Sequence, residues 1–387
     1  MYSKRTVFWS ACLGMLLFGI GLITLGAILP DLKEKYSLDA VAAGTLFSIL
    51  PLGVLAGSLL FGPLCDRFGY KPLMATAAVM MFAGFQGLAF SPSTGILSIF
   101  IFFIGLGGGA LNGATSALVS DISTSGKGAD LSLLGVFFGI GALGMPILLG
   151  VLEKAFKFDV IVSLTGFIAL AAAILFLLIK YPPAKLSGGV SMKKLFALFR
   201  DETLLLIAFF LFFQSAFEAL VNNWTTTYLI DRLSVQQSSA LLGLSAYVAG
   251  MTIMRLMIGS IFRNVPDKKL LVISFGIIFI ELVTIVTGNT MFQSAAGLLI
   301  LGAGLAGGFP IMLGFVGNRY PNLSGTAFSL AFTIALLGNM LINFSMGLIV
   351  EKFGVKTLPA VQSVELIVMI TLCLIIFKKL KSSKPII

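Results

Sequence analysis

Twelve runs of about 20 mostly apolar residues dominate this chain of 387 residues. A run of that length crosses the hydrocarbon core of a bilayer as one helix, since each residue adds about 1.5 Å and the core is about 30 Å thick. A water-soluble domain has too little interior to bury so many apolar side chains. The sequence therefore predicts an all-α membrane protein with twelve transmembrane helices. The runs lie at 7–30, 41–62, 72–92, 96–120, 131–152, 160–179, 204–228, 240–262, 270–288, 295–316, 326–350 and 361–377.

Composition supports a membrane location and narrows the chemistry. Only 11% of the residues are charged, about half the share of an average soluble domain. The chain has no histidine, which removes histidine-based triads, proton relays and most zinc sites. Its three cysteines, Cys12, Cys65 and Cys373, lack the spacing of a disulfide or metal motif. With no paired acids on one helix either, we expect no metal, no cofactor and no enzymatic activity.

A polar connection between residues 180 and 202 divides the twelve runs into two sets of six. We predict a first six-helix bundle at 1–180, a cytoplasmic linker at 181–202 and a second bundle at 203–387. Residues 192–199 have the pattern of a short amphipathic helix on the membrane surface. Glycine-rich stretches recur around Gly105 in the fourth run and Gly302 in the tenth. Small residues let helices approach closely in lipid, which favours a packing role and an internal repeat.

Basic residues are distributed unevenly between the two sets of loops. With the N-terminus in the cytoplasm, 18 of the 26 Lys and Arg residues fall in cytoplasmic segments and seven on the opposite side, while Arg255 lies within a run. Positive loops stay on the cytoplasmic side during membrane insertion. The sequence therefore predicts a multi-pass protein of the inner (plasma) membrane with both termini in the cytoplasm. The net charge of +10 then reflects topology, and we expect no binding to nucleic acid.

The loop after the second run has a distinctive order of glycines and charges, Gly62-Pro-Leu-Cys-Asp66-Arg67-Phe-Gly69-Tyr-Lys71. Glycine permits a tight exit from a helix, and neighbouring acids and bases can form charged contacts between helix bundles. Such contacts can hold one conformation closed and break in the other. A solvated turn whose charges only set topology is the simpler alternative. We predict a gating role for Gly62, Asp66, Arg67, Gly69 and Lys71.

This loop resembles the signature loop of the major facilitator superfamily, and a degraded copy of it follows the eighth run at 259–263. Within the superfamily the chain is similar to the fucose, galactose and glucose permease branch, through the stretches 135–146, 218–228 and 308–310. The resemblance implies two six-helix bundles that expose a midplane site to each side in turn. It also implies that runs one, four, seven and ten surround the central cavity.

One position departs from the fucose-type pattern. Members of that group place an acid on the fourth helix, where this chain has Asn112. Their proton-coupling acid is therefore not carried over, and the resemblance does not establish coupling. If transport is coupled to a proton or a sodium ion, Glu218 is the acid that we expect to carry it.

Polar side chains inside apolar runs need a reason to be there, because a charge at the bilayer centre costs roughly 2.5–3.5 kcal/mol on insertion scales. Gln214, Glu218 and Asn222 follow each other at intervals of four and so share one helix face. Aromatic rings nearby suit a sugar, whose hydroxyls take directed hydrogen bonds and whose C–H faces stack on rings. Structural pairing of the acid, and an interfacial position for the rings, are the alternatives. The predicted binding residues on this run are Gln214, Glu218, Asn222, Asn223, Trp224 and Tyr228.

Three further asparagines lie deep in apolar runs. Asn112 belongs to the fourth run, and Asn339 and Asn343 stand at i and i+4 in the eleventh. They are candidates for contacts with substrate hydroxyls. Hydrogen bonding between helices is the alternative, and it is common in membranes.

Charged groups in three other runs complete the set. Arg255, in the eighth run, could pair with Glu218 or bind an anion, so it is a second candidate for coupling. Glu281 and Glu365 belong to the ninth and twelfth runs, which face lipid in the superfamily. We expect these two acids near helix ends or paired with the backbone, without a role in transport.

These observations predict a secondary active transporter of a small polar solute, with a monosaccharide as the first choice. A multidrug or metabolite exporter of the same fold is the main alternative, and 35 Phe and 15 Met suit an apolar cavity. A carrier of sugar phosphates or organic anions that uses Arg255 is another, and a receptor without transport is a third. The expected partners are a small-molecule substrate, a proton or sodium ion and the lipid bilayer, around a monomer.

Overall fold

The computed structural model of the protein describes residues 2–38, 40–152, 155–185 and 198–382. Within these ranges twelve helical segments are long and apolar enough to cross a membrane, and no β-strand occurs. The predicted all-α class with twelve spans is confirmed. Many large apolar side chains are exposed along the helices, as a lipid environment requires.

The spans are numbered 1 to 12 in chain order. Spans 1 to 6 are the helices Lys4–Ala27, Ala40–Phe68, Tyr70–Phe90, Thr94–Ile122, Lys127–Leu152 and Phe158–Leu178. Spans 7, 8, 9, 11 and 12 are Glu202–Leu233, Gln237–Gly259, Asp267–Thr287, Ser324–Phe353 and Leu358–Ser382. Span 10 consists of two helices, Met291–Leu305 and Gly308–Arg319. A short helix, Leu29–Tyr36, follows span 1, and 3-10 turns at Pro321–Leu323 and Val355–Thr357 precede spans 11 and 12.

Helix ends differ from the apolar runs by several residues because capping groups decide where a helix stops. The carboxylate of Asp201 accepts hydrogen bonds from the backbone N–H groups of Thr203 and Leu204, both at 2.9 Å, so span 7 begins at Glu202. The same span continues past residue 228 and ends at Leu233. The next residue, Ser234, has a left-handed backbone conformation with a φ of 53°. Hydropathy detects only the apolar part of such a helix.

The structure divides into two compact units. Unit 1 comprises Met1–Ile122, Leu134–Leu195 and Pro321–Ser329, and unit 2 comprises Ser123–Leu133, Phe196–Tyr320 and Leu330–Ile387. Each unit therefore contains a short segment that comes from the other half of the sequence. We call 123–133 and 321–329 the exchanged segments. Most of the surface helix expected at 192–199, namely residues 192–197, lies outside the described residues.

Glycines bring neighbouring spans into backbone contact within each unit. In unit 1, a Cβ added at Gly105 would lie 2.4 Å from the carbonyl oxygen of Leu50. In unit 2, a Cβ added at Gly302 would lie 2.0 Å from the carbonyl oxygen of Tyr247. Any side chain at these positions would push the helices apart, so the packing interpretation of both glycine-rich stretches is confirmed.

Candidate functional site

An amide–carboxyl pair, of which the amide is buried and the carboxyl group half-buried, lies in span 7 of unit 2. The side-chain amide of Gln214, only 1% exposed, donates to Oε1 of Glu218 at 2.8 Å and to the carbonyl oxygen of Leu305 at 3.0 Å. The second bond forms where span 10 is interrupted, because Leu305 ends its first helix. Carbonyl groups at a helix end need partners from outside the helix. The predicted polar face of span 7 thus meets a broken helix, which is typical of polar sites in membrane proteins.

Two residues of span 10 account for this arrangement. Pro310 has no N–H group, so the carbonyl of Ala306 has no donor four residues further on. Gly308 leaves room for the amide, since a Cβ added there would lie 2.4 Å from Oε1 of Gln214. The stretch 308–310, which carried part of the family resemblance, therefore positions the amide–carboxyl pair.

Span 8 adds a cation and a phenol to the same part of unit 2. The guanidinium of Arg255 lies near enough to the carboxylate of Glu218 to act on its charge, although the two form no ion pair within the described residues, and the hydroxyl of Tyr247 lies near both groups. The Nε of Arg255 and the hydroxyl of Tyr247 are buried and have no hydrogen-bond partner within the described residues. Because buried donors in proteins are almost always satisfied, this patch suits a ligand with several hydrogen-bonding groups. We call Gln214, Glu218, Tyr247 and Arg255 the polar cluster.

Tyr247 is the member of the polar cluster that the sequence analysis missed. It stands eight residues before Arg255, so the two residues lie on one face of span 8, two turns apart. That spacing was visible in the sequence. A single tyrosine in an apolar run is, however, usually an interfacial or core residue, and only its nearness to Glu218 distinguishes it.

The asparagines of spans 7 and 11 form a second polar contact within unit 2. The side-chain oxygen of Asn343 accepts from the Nδ2 of Asn223 at 3.0 Å and from the Nε1 of Trp224 at 3.3 Å. The Nδ2 of Asn343 donates to the carbonyl oxygen of Asn339 at 2.9 Å. Asn222 is exposed, and its Nδ2 donates to the backbone carbonyl of Glu218 at 2.7 Å. Four of the predicted binding residues, Asn223, Trp224, Asn339 and Asn343, are thus linked to one another by hydrogen bonds. A fifth, Asn222, bonds the backbone of Glu218.

Two other predicted binding residues lie elsewhere. The hydroxyl of Tyr228, near the end of span 7, donates to the carbonyl of Ile285 at 3.4 Å and accepts from Arg232 at 3.2 Å. The structure therefore packs Tyr228 against span 9 and does not bring it to the polar cluster. Asn112 is half-buried in span 4 of unit 1, where its backbone carbonyl accepts from the hydroxyl of Thr115 at 3.2 Å.

The acids of spans 9 and 12 differ from expectation. Glu281 and Glu365 are 1% and 2% exposed, and neither carboxyl group has a hydrogen-bond partner within the described residues. The expectation of a position near a helix end or of a backbone partner is wrong. Both acids lie more than one turn from either end of their helices, where the helical carbonyl and N–H groups already bond each other. Neither acid belongs to the polar cluster as we define it.

Asp66, one of the predicted gating residues, contacts an exchanged segment inside unit 1. Its Oδ2 accepts from the backbone N–H of Thr326 at 2.8 Å and from the hydroxyl of Thr326 at 2.6 Å, and its Oδ1 accepts from the N–H of Gly325 at 3.2 Å. These N–H groups belong to the first turn of span 11, where N–H groups have no acceptor within the helix. The positive end of the helix dipole lies there as well, and it favours a carboxylate. Asp66 is 1% exposed. We call this contact the first latch.

Two glycines of the loop shape the first latch. A Cβ added at Gly62 would lie 2.5 Å from both the carbonyl oxygen of Gly325 and the Cβ of Ser329. Only glycine therefore lets span 11 approach so closely. Gly69 has a φ of 84°, a left-handed conformation that favours glycine and takes the chain out of span 2.

The two bases of the loop are exposed and take no part in the first latch. The guanidinium of Arg67 lies 5.0 Å from the ring centre of its neighbour Phe68. Lys71 is exposed in the first turn of span 3. Of the five predicted gating residues, the structure thus places Gly62 and Asp66 at the latch, Gly69 beside it, and the bases on the surface.

A half-buried acid at the end of span 4 extends the first latch. Asp121 accepts from the hydroxyl of Tyr70 at 2.5 Å and from the hydroxyl of Ser324 at 2.8 Å, and it pairs with Lys185 at 2.6 Å. Lys185 also donates to Ser324. The network ties spans 3, 4 and 11 to the start of the linker. Sequence reasoning missed Asp121 because a single acid at a helix end is usually solvated.

Unit 2 holds the other exchanged segment through its own contacts. Arg263, in the degraded copy of the loop, pairs with Oδ1 of Asp130 at 2.7 Å and donates to the carbonyl of Ser125 at 3.1 Å. The hydroxyl of Ser123 donates to Oδ2 of Asp130 at 2.6 Å, and Lys127 donates to the carbonyl of Gly317 at 2.8 Å. We call the contact between Arg263 and Asp130 the second latch.

Comparison with known proteins agrees with this architecture. The chain is 24% identical to the uncharacterized transporter y4wD of Sinorhizobium fredii over 344 residues, which cover 87% of this chain and 89% of that protein. The crystal structure of the E. coli fucose:proton symporter FucP matches with a TM-score of 0.81 at 16% identity, over 97% of this chain and 99% of FucP. The human organic anion transporter MFSD10 matches with a TM-score of 0.73 at 15% identity, over 95% and 100%. These two structures differ in cargo, so their likeness shows the fold alone.

The family assignment rests on a match along most of the chain. The model of the family described as Major Facilitator Superfamily matches residues 11–343. This range includes the first latch, the second latch and the polar cluster. Together with the twelve spans and the signature loop, the match shows that the chain belongs to the major facilitator superfamily, a family of multi-pass membrane transporters.

Proposed function

We propose that this protein is a secondary active transporter of a small polar solute, and that the solute is a monosaccharide. The observation that carries the proposal is the polar cluster of unit 2. It combines a carboxylate, an amide and two buried donors that have no partner in the described part of the chain, at the break of span 10. A sugar offers several hydroxyl groups, each of which donates and accepts, and it can satisfy all of these groups at once.

The charge of the polar cluster favours an uncharged cargo over an anion. Arg255 alone would attract carboxylates or phosphates. The carboxylate of Glu218, however, offsets the guanidinium, so the pair carries no net charge while both groups are ionised. An anion would have to compete with Glu218 for Arg255, whereas a sugar hydroxyl can donate to one and accept from the other.

Glu218 is also the acid that we propose for cation coupling. An ionised carboxyl group only accepts hydrogen bonds, whereas a protonated one also donates. Binding of a sugar and binding of a proton to Glu218 therefore change each other's free energy, which is the thermodynamic basis of coupled transport. A sodium ion at the carboxylate would act in the same sense.

We propose that the two latches hold the cytoplasmic side closed and that transport requires both to open. Each latch joins an exchanged segment to the unit that contains it. Alternating access moves the two halves of the chain relative to each other, so these contacts must break and re-form in each cycle. This assignment places Gly62 and Asp66 in the gate, with Arg67 and Lys71 as topogenic charges.

The proposal is tested with purified protein reconstituted in liposomes. Counterflow of radiolabelled monosaccharides identifies a substrate, and uptake is then compared with and without a proton or sodium gradient. We expect exchange of at least one monosaccharide and gradient-driven accumulation. Glu218→Gln should abolish accumulation while exchange persists. The matched control is Glu281→Gln, which removes a buried carboxyl group of the same unit outside the polar cluster and should accumulate substrate like the parent.

Three results would change these assignments. Exchange of sugar phosphates or organic acids without exchange of free sugars would make the cargo an anion that binds Arg255. Transport of lipophilic cations alone would identify an exporter. Accumulation by Glu218→Gln at the parent level would remove Glu218 from coupling.

A further inference from the structure

A basic cavity opens at the end of unit 2 where spans 7 and 9 finish and span 12 begins. Its volume is about 470 Å³, and its lining combines two bases with small and apolar groups. Among the described residues that line it, none is acidic. The lining residues are Tyr228, Arg232, Val286, Lys356, Pro359, Ala360 and Ser363.

Arg232 is held rigidly in this cavity with donors to spare. Its NH1 donates to the hydroxyl of Tyr228 at 3.2 Å, and its NH2 donates to the carbonyls of Gly288, at 3.1 Å, and Val286. A guanidinium has five N–H donors, so two of them have no partner within the described residues. Because the side chain is already ordered, a ligand that accepts from those donors does not bear the entropy of fixing it.

Lys356 supplies a second positive charge from the turn between spans 11 and 12. It is exposed, and in the described part of the chain its ammonium group has no acidic partner. Two cations around one cavity, with no acid among its described lining residues, attract an anion with several acceptor oxygens. A phosphate group has this chemistry, and arginine matches it with two parallel hydrogen bonds.

The corresponding cavity of unit 1 has the opposite balance. It lies where span 1 finishes and span 6 begins, which is the same place in the first set of six spans, and its volume is about 500 Å³. Its lining includes the acids Asp31, Glu34 and Asp159 beside the bases Lys35 and Lys157. The two cavities share a position in the repeat, yet only the one in unit 2 is free of acids among its described lining residues. The fold thus explains the cavity, and the sequence of unit 2 explains its charge.

The position of the basic cavity suits the headgroup layer of a bilayer. Arg232 and Val286 are the second-last residues of spans 7 and 9, and Lys356 lies in the 3-10 turn that directly precedes span 12. Helix ends lie where the hydrocarbon meets the headgroups. Basic pockets between transmembrane helices bind anionic lipid headgroups at the cytoplasmic face, and the same charge attraction acts at this depth on the opposite face, where the predicted topology places Arg232 and Lys356.

We propose that this cavity is a phosphate-binding site, formed by Arg232 and Lys356, that takes the headgroup of an anionic phospholipid. The same chemistry would bind free phosphate, so the experiment separates the two sources. The proposal concerns residues outside the polar cluster and both latches, and it holds whatever the transported solute is.

Native mass spectrometry of the purified, detergent-solubilised protein tests the site. Phosphatidylglycerol and phosphatidylcholine with identical acyl chains are compared, because the choline group cancels the charge of the phosphate. We expect the parent to bind phosphatidylglycerol more tightly than phosphatidylcholine. Lys356→Gln should weaken phosphatidylglycerol binding about fivefold, because a basic residue near anionic lipid contributes about 1 kcal/mol. Lys356→Glu should weaken it further. Lys157→Gln, in the cavity of unit 1, is the matched control and should bind like the parent. Lys356 is exposed, so its replacement leaves the fold intact, whereas Arg232 also caps span 9 and is not varied.

Inorganic phosphate added as a competitor distinguishes the sources. Phosphatidylglycerol binding that millimolar phosphate does not displace supports the lipid headgroup. Phosphate binding that depends on Lys356, without preference for phosphatidylglycerol, would overturn the lipid assignment and make the site one for free phosphate. Equal binding of the two lipids, unchanged in both Lys356 variants and with no effect of phosphate, would overturn the site itself.

Discussion

The two latches hold equivalent pieces of the chain by different chemistry. In the first latch a buried carboxylate accepts hydrogen bonds from the first turn of span 11, and Asp66 is only 1% exposed. In the second latch an arginine pairs with an acid in the first turn of span 5, and the side chains of Arg263 and Asp130 are 36% and 17% exposed. Buried contacts to charge are strong and insensitive to salt, whereas exposed ion pairs are weak and screened.

The comparison shows that a degraded motif need not mean a lost contact. The loop after span 8 has no acid at the position corresponding to Asp66, but Arg263 still reaches the exchanged segment because Asp130 supplies the opposite charge there. In the second latch the loop therefore supplies the positive group instead of the negative one, and the contact is more exposed. Its place in the repeat is the same. We expect the first latch to dominate the energy of the closed conformation and the second to adjust it.

The largest effect is expected for Asp66→Ala. This change leaves the N–H groups of Gly325 and Thr326 buried without an acceptor, at a cost of about 3 kcal/mol. Hydrogen–deuterium exchange of a peptide covering 321–329 should then accelerate roughly a hundredfold. A peptide covering 123–133, in unit 2, is the internal control. Unchanged exchange of 321–329 would contradict the first latch.

Replacing one glycine in each loop compares the two close approaches directly. A Cβ at Gly62 meets a backbone carbonyl at 2.5 Å, whereas a Cβ at Gly259 meets the side chain of Leu133 at 2.2 Å and a backbone carbonyl, that of Ala129, only at 3.1 Å. A side chain can rotate away and a backbone cannot, so Gly62→Ala should cost about 1–3 kcal/mol and Gly259→Ala clearly less. The same two peptides report the difference, and equal costs would mean that the approaches are equally rigid.

A polar contact outside both latches provides a reference in unit 2. Burial would raise the pKa of Asp201, but hydrogen bonds from Tyr320, Leu204 and Thr203 and the charge of Arg319 lower it overall. A lowered pKa stabilises the fold above the ordinary value, and this contribution is lost as pH falls below about 4. Asp201→Asn should therefore cost about 1 kcal/mol near neutral pH, and less in acid.

Thermal unfolding in detergent between pH 3 and pH 7 measures this contribution. The difference between the parent and Asp201→Asn should shrink toward the acid end of the series. Since Asp201 holds no exchanged segment, exchange of 123–133 and of 321–329 should stay at the parent rate. If the stability difference between the parent and Asp201→Asn did not change with pH, Asp201 would cap span 7 without any contribution from its charge.

The smallest effect is expected for Arg263→Ala. A partly exposed ion pair such as this one contributes about 0.2–1 kcal/mol, so exchange of 123–133 should rise by no more than about fivefold. The effect should fall further in 0.5 M salt, whereas that of Asp66→Ala should persist. A double-mutant cycle with Asp130→Ala isolates the pair. A salt-independent loss as large as that of Asp66→Ala would remove the proposed difference between the latches.

The candidate site was predictable where it depends on one helix. Gln214 and Glu218 stand four residues apart, and the structure joins them at 2.8 Å because helix geometry places i and i+4 together. Tyr228 follows the same helix, yet it belongs to another contact, because its partner Ile285 lies on span 9. Periodicity describes one face of one helix and cannot tell which neighbour covers it.

The sequence by itself determined the class of the protein. Twelve apolar runs, one signature loop and the polar face of span 7 are local properties, since hydropathy and helical spacing act along contiguous residues. The partners of those residues were decided by tertiary structure alone. Asp66 meets Thr326, Gln214 meets the break after Leu305, and Arg263 meets Asp130, in each case far away along the chain. Hydrogen bonds and ion pairs depend on distances in space, and only packing of the spans sets those distances.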